Sequence, residues 1–317
     1  MTTHFSIPTW QSDYIKARLS DDNIFYTQNI AEVNLDEIQE AEIISVFVHD
    51  MVTAEIINRL PNLKLIVARS TGFDNIDIEY AKSKNIAVCN VPAYGSDTVA
   101  EFAFALLLAL VRHIPAIIDR SKDLNFKYLD LQGTDLSGKT IGVLGSGKIG
   151  RNMIQMAKGF DLKIVVYDIF QDENLAKTYD FVYLPLDDVL QQSDILSLHL
   201  PLTKETEDLF SRENLSKIKK GCIFLNVARG NLISNQNLAW ALREGIFSAC
   251  GLDTIEDENK LFEGNATELQ LEILNNPKVI FSPHCAYYTK EAMHRILDTS
   301  IADIEGFLGG NMINCVN

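Results

Sequence analysis

A series of short apolar runs, separated by stretches long enough for helices, constrains this chain more than any other feature. The runs at 43–48 (IISVFV), 63–68 (LKLIVA) and 86–91 (IAVCNV) are rich in Ile and Val. They are nearly continuous in hydrophobicity, as strands covered on both faces must be. Further runs at 140–144, 163–167, 195–200, 222–227, 248–252 and 278–282 each end in polar, Gly or Pro residues. Repeated strand–helix–strand units predict an α/β fold with a parallel, doubly wound sheet. Open sheets of that kind bind ligands at the carboxyl ends of their strands, so the residues just past these runs are where chemistry is expected.

Length and composition narrow the class. With 317 residues there is room for one large or two ordinary domains, and 47% apolar with 22% charged residues is globular usage. The formal charge of −15 argues against nucleic acid and anionic membrane as partners, because both select basic surfaces. Cys89, Cys222, Cys250, Cys285 and Cys315 are odd in number, scattered and without a CxxC pair. That pattern predicts neither a disulfide framework nor structural zinc, and a reduced, cytoplasmic compartment. No signal peptide is expected at the amino terminus, where no basic stretch precedes an apolar one. The longest apolar run, Phe102 to Val111, is too short to span a bilayer. It belongs to a predicted helix over Thr98–Arg112 with a capping box from Thr98 to Glu101 and Pro115 just beyond. The helix is apolar nearly all round, which predicts burial between domains or subunits.

The run at 140–144 leads into Gly145-Ser146-Gly147-Lys148-Ile149-Gly150. A GxGxxG between a strand and a helix (here about Ile149 to Phe160) is the dinucleotide fingerprint. Gly145 permits the tight turn, Gly147 lets backbone approach a pyrophosphate, and Gly150 lets helix pack on strand. The helix start at Lys148 and Ile149 offers N–H donors. The next strand ends at Asp168, 18 residues after Gly150. A carboxylate there accepts from ribose hydroxyls and repels a 2′-phosphate, which predicts NAD rather than NADP.

Three later strand ends carry ionisable groups. The run at 222–227 opens on Arg229, whose planar fork suits a carboxylate but equally suits a neighbouring acid. The run at 248–252 opens on the acids Asp253, Glu256, Asp257 and Glu258, any of which can be a solvated loop charge. The run at 278–282 opens on Pro283 and His284, placed for acid–base work or for a structural hydrogen bond. Together, Arg, acid and His on one edge are what reduction of a 2-oxo acid requires. Arg holds the carboxylate and polarises the carbonyl, His supplies the proton, and the acid orients the imidazole. The remaining histidines, His4, His49, His113, His199 and His294, have no partner motif, and no pair has metal-ligand spacing.

At this point the sequence resembles the D-isomer-specific 2-hydroxyacid dehydrogenases over nearly its whole length. The resemblance is carried by TGFDNID (71–77), NVPAYGSDTVAE (90–101), GSGKIG (145–150), YDIF (167–170), SLHLPLT (197–203), NVARG (226–230), DTIEDE (253–258) and SPHCAYYT (282–289). The VPAY, YDIF and AYYT stretches look most like the D-lactate dehydrogenase branch. The resemblance implies a discontinuous flavodoxin-like substrate domain, 1–97 with 285–317, and a Rossmann domain over 98–284. It implies Arg229, Glu258 and His284 as catalytic residues, with Glu258 the acid paired to His284. Thr71, Gly72, Tyr94 and Arg229 are implied to bind substrate. Leu200, Pro201, Thr206, Val227, Ala228 and Asp253 are implied to contact cofactor, Asp253 at the nicotinamide carboxamide. A homodimer is implied, with the helix after Thr98 near its interface.

The reaction expected is NADH-dependent reduction of a small 2-oxo acid, pyruvate first among them. A hydroxypyruvate, glyoxylate or aryl-pyruvate reductase on the same scaffold is the nearest alternative. A non-catalytic, NAD-sensing corepressor-like protein is the alternative from another class. Gly95-Ser96 after Tyr94, Cys285 after His284, and the segment 259–276 depart from the family pattern.

Overall fold

The computed structural model describes residues 1–19 and 22–317. The chain divides into two compact units, Met1–Tyr94 with Thr289–Asn317, and Gly95–Tyr288.

The first unit is built on a parallel sheet of β1 (Thr2–His4), β2 (Asn23–Phe25), β3 (Ile43–Val46), β4 (Leu65–Ala68) and β5 (Ala87–Cys89). The strand order β2-β1-β3-β4-β5 is the flavodoxin order. Alternation along the strands sorts the core. Ile44, Val46, Ile66, Ala68 and Val88 pack with Phe5 and Ile30 on one face. Ile43, Leu65, Val67 and Cys89 pack on the other with Ile304 of the Lys290–Leu308 helix. β1 gives no apolar signal because Thr2, Thr3 and His4 are all buried within the sheet. The His4 ring stacks on Phe25 with centroids 4.8 Å apart. Arg69, directly after β4, is wholly buried. Its guanidinium donates to the Phe5 carbonyl (2.5 Å), the Ser45 carbonyl (2.8 Å) and Ser45 Oγ (2.9 Å), tying together the ends of β1, β3 and β4. Residues 314–317 lie antiparallel along β5. Asn90 N donates to the Asn314 carbonyl (3.1 Å) and Val316 N to the Val88 carbonyl (2.9 Å).

The second unit holds β6 (Thr140–Leu144), β7 (Lys163–Tyr167), β8 (Val182–Tyr183), β9 (Ile195–Leu198), β10 (Cys222–Asn226), β11 (Phe247–Leu252) and β12 (Val279–Phe281). Their order, β12-β11-β10-β9-β6-β7-β8, is the Rossmann arrangement with one added strand. The order reverses between β6 and β9, which makes the carboxyl end of β6 the topological switch point. Ile141, Val143, Ile195 and Leu225 face one core; Leu144, Leu196, Leu198 and Phe224 face the other.

Two expectations are corrected here. The long apolar helix runs from Ser96 to Val111, capped by Gly95, and no side chain caps it. Thr98 is buried in its first turn, so the Thr98–Glu101 capping box does not form. The helix is buried inside the second unit itself. It packs on the Lys148–Gly159 helix, β10 and β11, and Leu106 and Leu110 crowd Gly251 so closely that a Cβ there meets Leu106 Cβ at 3.0 Å. His113, in left-handed backbone, separates it from the Ile114–Lys122 helix, where Pro115 sits in the first turn. No single helix among the described residues is long and apolar enough to cross a membrane.

Two buried imidazoles make stability depend on pH. Burial, with the nearby Arg69 charge adding to it, lowers the His4 pKa to about 3; burial lowers His199 to about 3. Both stay neutral in the fold, whereas the unfolded chain takes up protons below about pH 6.5. Their contribution is therefore intact above pH 6.5 and is lost as pH falls from there toward 3, at up to about 1.4 kcal/mol per pH unit for each. Asp303 acts oppositely. Burial raises it to about 6, so it gains stability as pH falls from 6 to about 3.9. Chemical-denaturation curves between pH 7 and pH 4 should therefore show a decline that is shallower in His4→Asn and steeper in Asp303→Asn than in the unsubstituted chain.

Candidate functional site

The glycine turn after β6 is shaped by three different constraints. Gly145 has φ +96°, and a Cβ there meets the His199 carbonyl oxygen at 2.6 Å. A Cβ on Gly150 meets the Gly145 carbonyl oxygen at 1.9 Å, so helix and strand touch backbone to backbone. Gly147 has no protein atom within 4 Å of its Cβ position. The open space lies at the start of the Lys148–Gly159 helix. No side chain caps that helix, so its first N–H groups remain for a ligand. Space and donors together fit a pyrophosphate.

Asp168 stands one residue past β7, as the fingerprint requires. Its Oδ2 accepts from Ser146 N (2.6 Å) and Ser146 Oγ (2.9 Å), and Oδ1 from Phe170 N (2.9 Å). The acid thus ties itself to the glycine turn, an arrangement extended by Tyr183, whose hydroxyl donates to Ser146 Oγ (3.0 Å). Ile169 and Phe170 beyond it are exposed. After β9, Leu200 is half-buried and Pro201 exposed. Thr206 Oγ1 closes that loop by donating to the Pro201 carbonyl (2.7 Å). His199 lies one residue past β9 rather than inside a strand. Its Nε2 is 2.9 Å from Ser197 Oγ and its buried Nδ1 has no partner.

At the end of β10, Val227 is buried while Ala228 and Arg229 are half-buried. The turn is set by Asn226, whose Oδ1 accepts from Ala228 N (3.0 Å) and whose Nδ2 donates to the Arg229 carbonyl (2.9 Å). Gly230 follows because a Cβ there meets the Ile255 carbonyl at 2.2 Å.

The His and one acid come together. His284 Nδ1 lies 2.6 Å from Glu258 Oε1, both side chains mostly buried. Nδ1 is thereby committed to Glu258. The neighbouring acids are engaged elsewhere: Glu256 Oε2 accepts from Asn235 N (2.7 Å), and Asp257 pairs with Lys260 (2.5 Å). His284 sits in left-handed backbone, φ 50°, which costs a non-glycine residue roughly 1 kcal/mol or more. Asp253 holds that turn. Its carboxylate accepts from Ser282 Oγ (2.6 Å), Cys285 N (3.0 Å) and Ala286 N (2.9 Å), and its carbonyl accepts from His284 N (2.8 Å). Three of about four acceptor positions of the carboxylate are used within the protein.

Sequence reasoning missed Asn226, Ser282 and Gln270. Gln270 is wholly buried and donates to the carbonyls of Glu256 (3.0 Å) and Asp257 (3.2 Å), fixing the backbone that presents Glu258. A signal was available: Thr267-Glu-Leu-Gln270 has capping-box spacing, and the box forms on the Glu268–Leu274 helix. In the first unit, Thr71 and Gly72 follow β4. Thr71 Oγ1 donates to the Val91 carbonyl (2.7 Å), and Asn90 Nδ2 to the Thr71 carbonyl (2.7 Å). Tyr94 is half-buried, and its carbonyl accepts from Arg295 Nε (2.5 Å).

Residues 104–286 match the family model for the D-isomer specific 2-hydroxyacid dehydrogenase, NAD binding domain. The chain belongs to the D-isomer-specific 2-hydroxyacid dehydrogenase family. It is similar to a 2-hydroxyacid dehydrogenase homolog of Zymomonas mobilis, 34% identical over 89% of this chain and 88% of that protein. A D-lactate dehydrogenase of Streptococcus pyogenes is 35% identical over 80% of this chain and 79% of its own length. Among solved structures, D-lactate dehydrogenase from Aquifex aeolicus, in complex with NAD and lactic acid, superposes with a TM-score of 0.90. The two are 38% identical, with 98% of this chain and 96% of that one covered. As a member of this dehydrogenase family the chain is an NAD-dependent oxidoreductase, and its glycine turn fits that cofactor.

The three glycines should separate on substitution. Gly147→Ala should leave the melting temperature nearly unchanged and weaken NADH binding about tenfold or more, measured by NADH fluorescence titration. Gly150→Ala should lower the melting temperature sharply before any ligand is added. Equal behaviour of the two would refute the division of roles.

Proposed function

We propose that this dehydrogenase reduces a small 2-oxo acid, with pyruvate converted to D-lactate as its best substrate. The observation that carries the reading is the 2.6 Å contact between His284 Nδ1 and Glu258 at the carboxyl ends of β11 and β12. Bound NADH supplies the hydride. Arg229 binds the substrate carboxylate through its planar fork and draws electron density from the carbonyl. His284 donates the proton from Nε2 to the carbonyl oxygen as hydride reaches the carbon. Glu258, bonded at Nδ1, fixes the orientation of the ring and directs Nε2 toward the substrate. Asp253 positions the imidazole and offers its last acceptor site to the nicotinamide carboxamide. Leu200, Pro201, Thr206, Val227 and Ala228 are proposed as further cofactor contacts, and Thr71, Gly72 and Tyr94 as substrate contacts. Pyruvate is favoured by the names of the Streptococcus and Aquifex relatives.

NADH consumption by the purified protein with pyruvate, hydroxypyruvate, glyoxylate, phenylpyruvate and 2-oxoisocaproate tests the substrate. Pyruvate should give the highest kcat/KM; a higher value for phenylpyruvate replaces this reading with an aryl-pyruvate reductase. NADH binding without turnover on any acid would favour the sensor reading. His284→Ala should lower kcat by about 10²–10⁴ while NADH affinity stays within about twofold. Equal losses in both would remove the proton-transfer role. Arg229→Gln should raise KM for pyruvate more than it changes NADH affinity.

We also propose a cytoplasmic homodimer. An apolar surface on the second unit supports the second copy as occupant. Ile114, Ile117 and Ile118 are exposed on one helix, and Leu124, Phe126 and Leu129 beyond it are 78%, 73% and 87% exposed. Clusters of this kind mark interfaces rather than free surface. Sedimentation should give a dimer, and Phe126→Asp with Leu129→Asp should shift it to monomer. A monomeric unsubstituted chain at micromolar concentration would overturn the proposal.

A further inference from the structure

The cysteines look scattered in sequence, but the fold brings two of them together. Cys89 is the last residue of β5, and Cys315 lies opposite it on the 314–317 segment. The flanking hydrogen bonds, Asn90 N to the Asn314 carbonyl and Val316 N to the Val88 carbonyl, make the two cysteines a non-hydrogen-bonded antiparallel pair. Cα atoms of such pairs stand about 4.5 Å apart, inside the range of about 4.4–6.8 Å that a disulfide spans. The Sγ atoms are 3.0 Å apart, both as free thiols. Cys315 is exposed and Cys89 buried. The other thiols lack this arrangement: Cys222 and Cys250 are both buried, and Cys285 sits beside the Asp253 carboxylate.

We propose that Cys89 and Cys315 form a reversible intramolecular disulfide when a peroxide oxidises the protein, stapling residues 314–317 to the edge of the first sheet. The exposed Cys315 thiolate attacks the peroxide and becomes a sulfenic acid, and one water leaves. The Cys89 sulfur then attacks the Cys315 sulfur; its proton and the departing hydroxide leave as a second water, and the S–S bond forms. Two thiols lose two protons and two electrons, and one hydrogen peroxide is reduced to two waters. Burial, with the facing Cys315 sulfur, pushes the Cys89 thiol up, which slows the second step. Contact distance opposes that effect, because a preoriented pair reacts at an effective concentration far above any solution thiol. The bond closes a loop between residues 226 apart in sequence. Long loops lose the most unfolded-state entropy on closure, so the staple stabilises.

Oxidation of the whole protein by hydrogen peroxide, followed by proteolysis under non-reducing conditions and mass spectrometry, tests the proposal. A peptide linking Cys89 to Cys315 is expected, lighter by two hydrogens. The melting temperature should rise by about 5 °C or more, and dithiothreitol should reverse both effects. Cys315→Ser, at an exposed position, should fold as before and show neither. Cys315 recovered as a sulfinic acid, or joined to a second chain while Cys89 stays free, overturns the proposal. So does a linked peptide with no rise in melting temperature.

Discussion

The edge of the second unit that carries Arg229 and His284 hangs on one buried carboxylate. Asp253 is 1% exposed, and three donors from the 282–286 turn converge on it. A buried carboxylate is expensive unless its charge is met by hydrogen bonds, and backbone N–H groups meet it at fixed positions. The arrangement works in both directions. The turn satisfies the charge, and the charge holds His284 in left-handed backbone. Asp253 N reaches back to the Asn226 carbonyl (2.9 Å), and Asn226 clamps the turn that carries Arg229. The strand ends bearing Arg229 and His284 are therefore braced through one pair of polar side chains. Removing the Asp253 carboxyl leaves three donors short of a partner, each at a cost of about 1–3 kcal/mol.

The cofactor side is organised differently. There the polar work is done by backbone, and side chains are excluded. Two glycines of the fingerprint are demanded by the protein's own packing, and the third borders open space beside a helix start. Asp168 is the side chain that shapes this turn, its carboxylate accepting from both the backbone and the hydroxyl of Ser146.

Much of this was legible in the sequence, for identifiable reasons. Strands buried on both faces announce themselves as apolar runs, and β3, β4, β6, β7 and β9 each lie within a predicted run. β1 was illegible because its buried residues are Thr, Thr and His, and β2 and β8 are short, half-exposed strands. Composition could not separate Glu258 from Glu256 and Asp257; the family resemblance singled out Glu258, and the fold brings that acid to the imidazole. Asn226 was illegible as a site residue because its work is done on a backbone carbonyl and amide, which have no sequence identity, whereas Gln270 left its capping-box spacing from Thr267 and nothing that reports its bonds to the Glu256 and Asp257 carbonyls. The Cys89–Cys315 contact spans nearly the whole chain, a separation that no local pattern reports. The helix after Gly95 was legible as buried, but a helix apolar all round does not say which neighbour covers it.

The antiparallel pairing of residues 314–317 with β5 has a meaning apart from any chemistry of sulfur. β5 is the last strand of its sheet, and an uncovered last strand offers a row of unpaired N–H and C=O groups to any passing chain. Asn317 continues the cover, its Oδ1 accepting from Val88 N and its Nδ2 donating to the Ile86 carbonyl. A parallel sheet five strands wide is thus covered on that side by a short segment running the opposite way. The few residues at its border occupy the N–H and C=O groups through which one sheet edge can pair with another.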